Sequence, residues 1–151
     1  MNIYLIIFTI FVSSAFALLE IQIEGENGWA KNLPTWKRPN PFKKIINWPY
    51  ITGYHLFLNL FLFSVFQFPF FIGLDLNLNN ELLVAEVLLT IFILEDFLWF
   101  VFNPKWGINK FFKKEIPWHA NKILYLPKNY WIGLIVLVGL DLLRKFILWR
   151  F

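Results

Sequence analysis

Four runs of apolar residues, 3–19, 54–73, 82–102 and 130–149, constrain this chain more than any other feature. A helix needs about 20 apolar residues to cross the hydrocarbon core of a bilayer, and only helices and closed barrels satisfy every backbone polar group there. The expected fold is therefore all-α: an integral membrane bundle of four transmembrane helices, one membrane domain over residues 1–151, with ordered, Trp-rich interfacial loops. Composition agrees, since 58% of residues are hydrophobic against about 45–50% in soluble domains. The 8 Trp gather near the ends of the apolar runs, where amphipathic rings favour the membrane interface.

A net charge of +4 would suggest nucleic acid in a soluble protein, but here the basic residues sit in loops beside apolar runs. Anionic lipid headgroups are the expected counter-charge, and no nucleic acid is expected. Loop 20–53 holds Lys31, Lys37, Arg38, Lys43 and Lys44. Loop 103–129 holds Lys105, Lys110, Lys113, Lys114, Lys122 and Lys128, whereas 74–80 has no Lys or Arg. The positive-inside rule puts both basic loops in the cytoplasm and both termini outside. Ala15 and Ala17 form an A-x-A pattern, so a cleaved leader competes for the first run. No Lys or Arg precedes that run, and cleavage would reverse the charge rule, so the first helix is expected to be retained. With no cysteine in the chain, disulfides, thiol nucleophiles and Cys zinc sites are excluded.

Local signals refine the spans. Glu20, Ile21, Gln22, Ile23 and Glu24 alternate as an extended segment would. Thr52 is placed to cap the second helix, and Thr52, His55 and Asn59 share one helical face. Pro69 predicts a kink near Phe66. Asn80 is a candidate cap for the third helix, which Pro104 stops near Phe102. FKKIINW at 42–48 resembles FKKEIPW at 112–118, but the flanking spans do not align.

The third run carries two adjacent carboxylates, Glu95 and Asp96. An intramembrane charge costs about 2.5–3.5 kcal/mol on insertion scales, so such residues need partners, protons or water, and are functional by default. Neighbours on a helix diverge by about 100°, so one carboxylate is expected to face the bundle and the other a loop or vestibule. His55, His119, Glu20 and Glu24 fall on the same membrane side.

The expected site therefore comprises His55, Glu95, Asp96 and His119, serving acid–base catalysis on a lipid or other amphiphile. A metal version would bind through both histidines and one or both carboxylates. The sequence contains no HExxH, HxxxH, serine elbow or phosphate loop, so residue type and shared side carry this reading. The alternative is a proton- or cation-handling transporter or membrane-complex subunit using Glu86, Glu95, Asp96 and Asp141. Four short spans make a thin pathway, so that alternative calls for a homo-oligomer or a partner membrane protein. Asp141 is expected to pair with Arg144 or Lys145 on its own helix.

Overall fold

The computed structural model describes residues 2–46, 48, 50–113, 116, 119 and 121–150. Lys114, Trp118 and much of the second FKK segment lie outside the described residues. The fold is mostly helical, at 66%. Its elements in chain order are α1 (Ile3–Glu24), β1 (Lys37–Pro39), β2 (Tyr50–Thr52), α2 (Gly53–Phe66), α3 (Phe68–Phe71), α4 (Leu78–Phe102), α5 (Gly107–Phe111), β3 (Lys122–Ile123), β4 (Leu126–Pro127) and α6 (Lys128–Arg150).

Helix α4 is the axis, packing along α1 on one side and α6 on the other. Its buried residues Leu82, Val87, Ile91, Glu95 and Trp99 fall at helical spacing. On α1 the facing stripe is small: Thr9, Ser13 and Ala17, four residues apart and all buried. Small side chains let two helix backbones approach, and the Ser13 hydroxyl lies 3.4 Å from the Ile91 carbonyl of α4. Gly133 does the same for α6, since a Cβ there would stand 3.0 Å from Ile93 Cδ1. Helix α2 adds Leu58, Leu62 and Phe66 to a cluster with Phe16, Val87 and Ile91.

Helices α1 and α4 run parallel and finish at the same end, where Asn103 Nδ2 donates to the Gly25 carbonyl at 3.2 Å and Trp106 Nε1 to the Glu26 carbonyl at 2.7 Å. The two basic loops therefore share one end of the bundle. Each contains a short antiparallel hairpin, β1–β2 or β3–β4, leading directly into the next long helix.

Several local expectations change. Residues 20–24 are helical, not extended, because nothing stops α1 before Gly25, whose φ of 67° ends the helix while its N–H bonds the Ile21 carbonyl at 2.9 Å. Helix α4 begins at Leu78 under an Asn77 cap, whose side chain accepts from Asn80 N–H at 3.0 Å; Asn80 instead holds the Asp75 carbonyl at 2.9 Å. Thr52 caps α2 through His55 N–H, and α4 ends at Phe102. Gln67 separates α2 from the short α3, which holds Pro69.

Ile3–Glu24 and Gly53–Phe71 are long and apolar enough to cross a membrane, a pattern shared by core helices and leader sequences. Charge sets α4 and α6 apart from them. Part of that charge is internally paired: Arg144 Nε binds Glu86 Oε1 at 2.7 Å across the two helices, and Lys145 binds Asp141 at 2.6 Å.

Candidate active site at the loop end of the helices

The stripe that packs α1 against α4 continues past Ala17 into Glu20 and Glu24, so helical spacing carries two carboxylates inward at the loop end. Both are buried. Tyr54 OH donates to Glu20 Oε1 at 3.0 Å, and the backbone N–H of Ala30 donates to Glu24 Oε1 at 2.5 Å. Trp29 and Ala30 adopt φ of 51° and 49°, a left-handed conformation that is uncommon for residues other than glycine and is met at functional sites. That turn aims the Ala30 amide at Glu24.

His55 stands in the first turn of α2, with its Nε2 3.3 Å from Glu24 Oε1. Its other ring nitrogen, Nδ1, lies 2.7 Å from the fully buried Thr52 hydroxyl, which also accepts from His55 N–H at 3.0 Å. The cap that starts the helix therefore also orients the imidazole. Trp29 lies against the ring, centroid to centroid at 4.8 Å. Ligand atoms of Glu20, Glu24 and His55 all lie within 4.8 Å of one another.

A second group forms on the α6 side. Asp96 Oδ2 lies 3.0 Å from His119 Nε2 and accepts a hydrogen bond from Tyr130 OH. His119 is buried among the rings of Phe100, Phe111 and Tyr130, at 5.4, 6.1 and 5.7 Å between centroids. This histidine is enclosed by aromatic rings and reaches the cavity through its contact with Asp96.

All four sequence-predicted residues, His55, Glu95, Asp96 and His119, line one cavity of about 610 Å³, together with Glu20 and Glu24. Glu95 and Asp96 diverge, the first toward α1 in the bundle and the second toward His119 in loop 103–129, and both line the one cavity. Glu95 lies within electrostatic range of Glu20 and Glu24, while Asp96 bonds His119 and Tyr130. Among the described residues no hydrogen bond or ion pair reaches the Glu95 carboxylate, although it is nine-tenths buried. No described Lys or Arg pairs with Glu20, Glu24, Glu95 or Asp96; the ion pairs of these cations lie elsewhere.

The two histidines are divided between groups, so the three-residue cluster differs from a metal site using both. Glu20 and Glu24, which the sequence alone does not assign to the site, line the same cavity. The signal that would have found them is the spacing of Thr9, Ser13, Ala17, Glu20 and Glu24, three or four residues apart throughout.

Away from the carboxylates, the cavity is lined by Leu89, Phe92 and Val136. Val136 lies six residues beyond Tyr130, about 9 Å farther along the helix. Compared with protein families, curated proteins and solved structures, the chain matches none, so its chemistry is argued from this geometry.

Proposed function

We propose that this chain is an integral membrane protein of four spans whose cavity is the active site of an enzyme acting on a lipid or other amphiphile. One observation carries the reading: a single cavity is lined both by apolar side chains of α2, α4 and α6, among them Leu58, Leu89, Phe92 and Val136, and by four carboxylates and two histidines. That lining suits a molecule with an apolar chain and a polar reacting end. Asp96 and His119 are the acid–base pair, with Tyr130 holding the carboxylate in place.

Membrane placement has its own support. Helix α4 has 25 residues and α6 has 23, or roughly 35 Å each, enough for a bilayer core of about 30 Å. The Glu86–Arg144 and Asp141–Lys145 pairs offset much of the charge that sets these helices apart. Outward faces carry Ile7, Phe11, Phe57, Phe61, Ile135 and Leu142, all exposed, as lipid contact requires. The basic loops at one end then face the cytoplasm. Helix α1 is retained in this reading, because it supplies Phe16 and Ala17 to the core and two carboxylates to the cavity. The transport alternative has less support, since Arg144 and Lys145 already hold Glu86 and Asp141.

The test compares lipid extracts of membranes containing the wild type, Asp96→Asn or His119→Ala, alongside binding of a fluorescent single-chain amphiphile. The expected result is a lipid species altered only by the wild type, and amphiphile binding lost when Val136→Trp fills the apolar part of the cavity. Unaltered lipids together with binding indifferent to Val136→Trp would overturn the reading. Because the chain has no cysteine, Lys43→Cys and Lys113→Cys each provide a single reporter, and both should react with impermeant maleimide only from the cytoplasmic face.

A further inference from the structure

We infer that Glu20, Glu24 and His55 form a divalent-metal site, with Glu95 facing it as a further carboxylate. The inference deepens the reading of the cavity as an amphiphile site and assigns its cofactor to the part formed by α1 and α2.

Charge balance is the first argument. Glu20, Glu24 and Glu95 are all buried and within electrostatic range of one another. No described Lys or Arg pairs with them. Buried carboxylates without cations are costly and are relieved by protons, pairing or metal coordination. Glu95 gives independent support, as a carboxylate nine-tenths buried, lining the cavity and without a described hydrogen-bond or ion-pair partner.

Geometry is the second argument. Donor atoms from Glu20, Glu24 and His55 lie within 4.8 Å of one another. Ligand bonds of about 2.0–2.2 Å place donors roughly 3–4 Å apart, so about one ångström of side-chain movement closes the set. Three protein ligands leave a coordination position for water or a substrate oxygen, the arrangement of catalytic rather than structural metal sites.

The surrounding contacts supply the third argument. A ligating imidazole usually donates its other N–H to a fixed acceptor. Thr52 Oγ1 provides that acceptor, 2.7 Å from His55 Nδ1. With Nδ1–H donated to Thr52, the Nε2 lone pair faces the carboxylates. Tyr54 OH and the Ala30 amide similarly fix one oxygen each of Glu20 and Glu24. Two carboxylates with one imidazole suit Mn²⁺, Fe²⁺ or Zn²⁺.

The experiment titrates the purified full chain in detergent, stripped of metal, with Mn²⁺ or Zn²⁺ alone and no added amphiphile. We expect one Mn²⁺ per chain, displaceable by Zn²⁺, with pulsed electron paramagnetic resonance showing coupling to one imidazole nitrogen. That coupling should vanish in His55→Gln and persist in His119→Gln, and Glu20→Gln/Glu24→Gln should lose stoichiometric binding. Absence of stoichiometric metal in the wild type, no imidazole coupling, or coupling that follows His119 would overturn the inference. The wild-type spectrum decides even where a variant fails to fold. Val136→Trp should keep its metal, so failure of the amphiphile reading and failure of the metal site give different results.

Discussion

The two halves of the molecule repeat one plan and use it differently. In each, a long helix ends near carboxylates, a hairpin follows, and a second helix returns: α1, β1–β2 and α2, then α4, β3–β4 and α6. In the first half Glu20 and Glu24 face a single imidazole, His55, and their other described contacts are a phenol and a backbone amide. In the second, Asp96 is served by both His119 and Tyr130. One group has more carboxylates than its described donors answer, while in the other a single carboxylate has two donors. Under the proposed reading the first group suits a cation, and the second suits holding and passing a proton.

The largest expected effect tests that asymmetry directly. Asp96→Ala leaves a buried histidine and a buried tyrosine without their shared acceptor, which costs about 1–3 kcal/mol. The lower part of that range applies if water entering the cavity replaces the carboxylate, whose side chain is 35% exposed. In metal-free protein, Glu20→Gln removes a charge facing other carboxylates and should leave stability unchanged or raised. Thermal unfolding in detergent compares them; equal losses in both variants would mean the halves do not differ as argued.

Legibility in the sequence depended on how local each signal is, in both halves alike. Thr52 and Pro104 act through their own backbone neighbours, so the start of α2 and the end of α4 could be read directly. The reach of α1 to Glu24 was missed because five residues of alternation fit an extended segment as well as a helix, and only packing against α4 decides between them. Asn77 and Asn80 are both good caps, three residues apart, and the choice between them rests on Asn80 bonding the Asp75 carbonyl. The convergence of Glu95 and Asp96 on one cavity depends on where α1 and α6 sit around α4, which no local pattern encodes. His119 gave no hint of its aromatic box, since Phe100, Phe111 and Tyr130 come from separate stretches.

Next in size is a glycine in each half. At Gly53 a Cβ would lie 2.5 Å from Trp36 Nε1 and 2.8 Å from Thr35 Oγ1, the atom that accepts from Tyr54 N–H at 2.9 Å. Gly53→Ala should cost about 1–3 kcal/mol through overpacking and shift both Tyr54 and His55. Gly133→Ala meets Ile93 Cδ1 at 3.0 Å, the mobile end of a side chain, and should cost less. A reversed order in thermal unfolding would mean that the loop does not pin the start of α2.

A smaller effect separates the cap from the site it orients. Thr52→Val removes the acceptor for His55 N–H and the partner of His55 Nδ1 in a single change. Loss of an N-cap costs about 1 kcal/mol, whereas loss of the hydrogen bond that holds a ligating imidazole weakens metal binding about 10-fold or more. Thr52→Ser keeps both contacts and should restore both readouts. If Thr52→Val lowers stability while leaving Mn²⁺ affinity intact, the hydroxyl is a cap only, and His55 is oriented by Trp29 and Tyr54 packing.

The smallest expected effect lies where the halves are joined. Lys105 binds Glu26 at 2.9 Å, with side chains 63% and 56% exposed, and such a pair contributes about 0–1 kcal/mol at most. The same junction has the buried Asn103, whose Nδ2 donates to the Gly25 carbonyl while its Oδ1 accepts from Lys105 N–H at 3.1 Å. Lys105→Ala should therefore leave the unfolding temperature nearly unchanged, whereas Asn103→Ala should lower it measurably. If the two substitutions cost the same, exposed charge and not the buried amide would be registering α1 against α4, and the alignment of Glu20 and Glu24 with Glu95 would depend on ionic strength. Unfolding measured at low and high salt checks this, because screening weakens an exposed ion pair and leaves a buried amide bond largely unaffected.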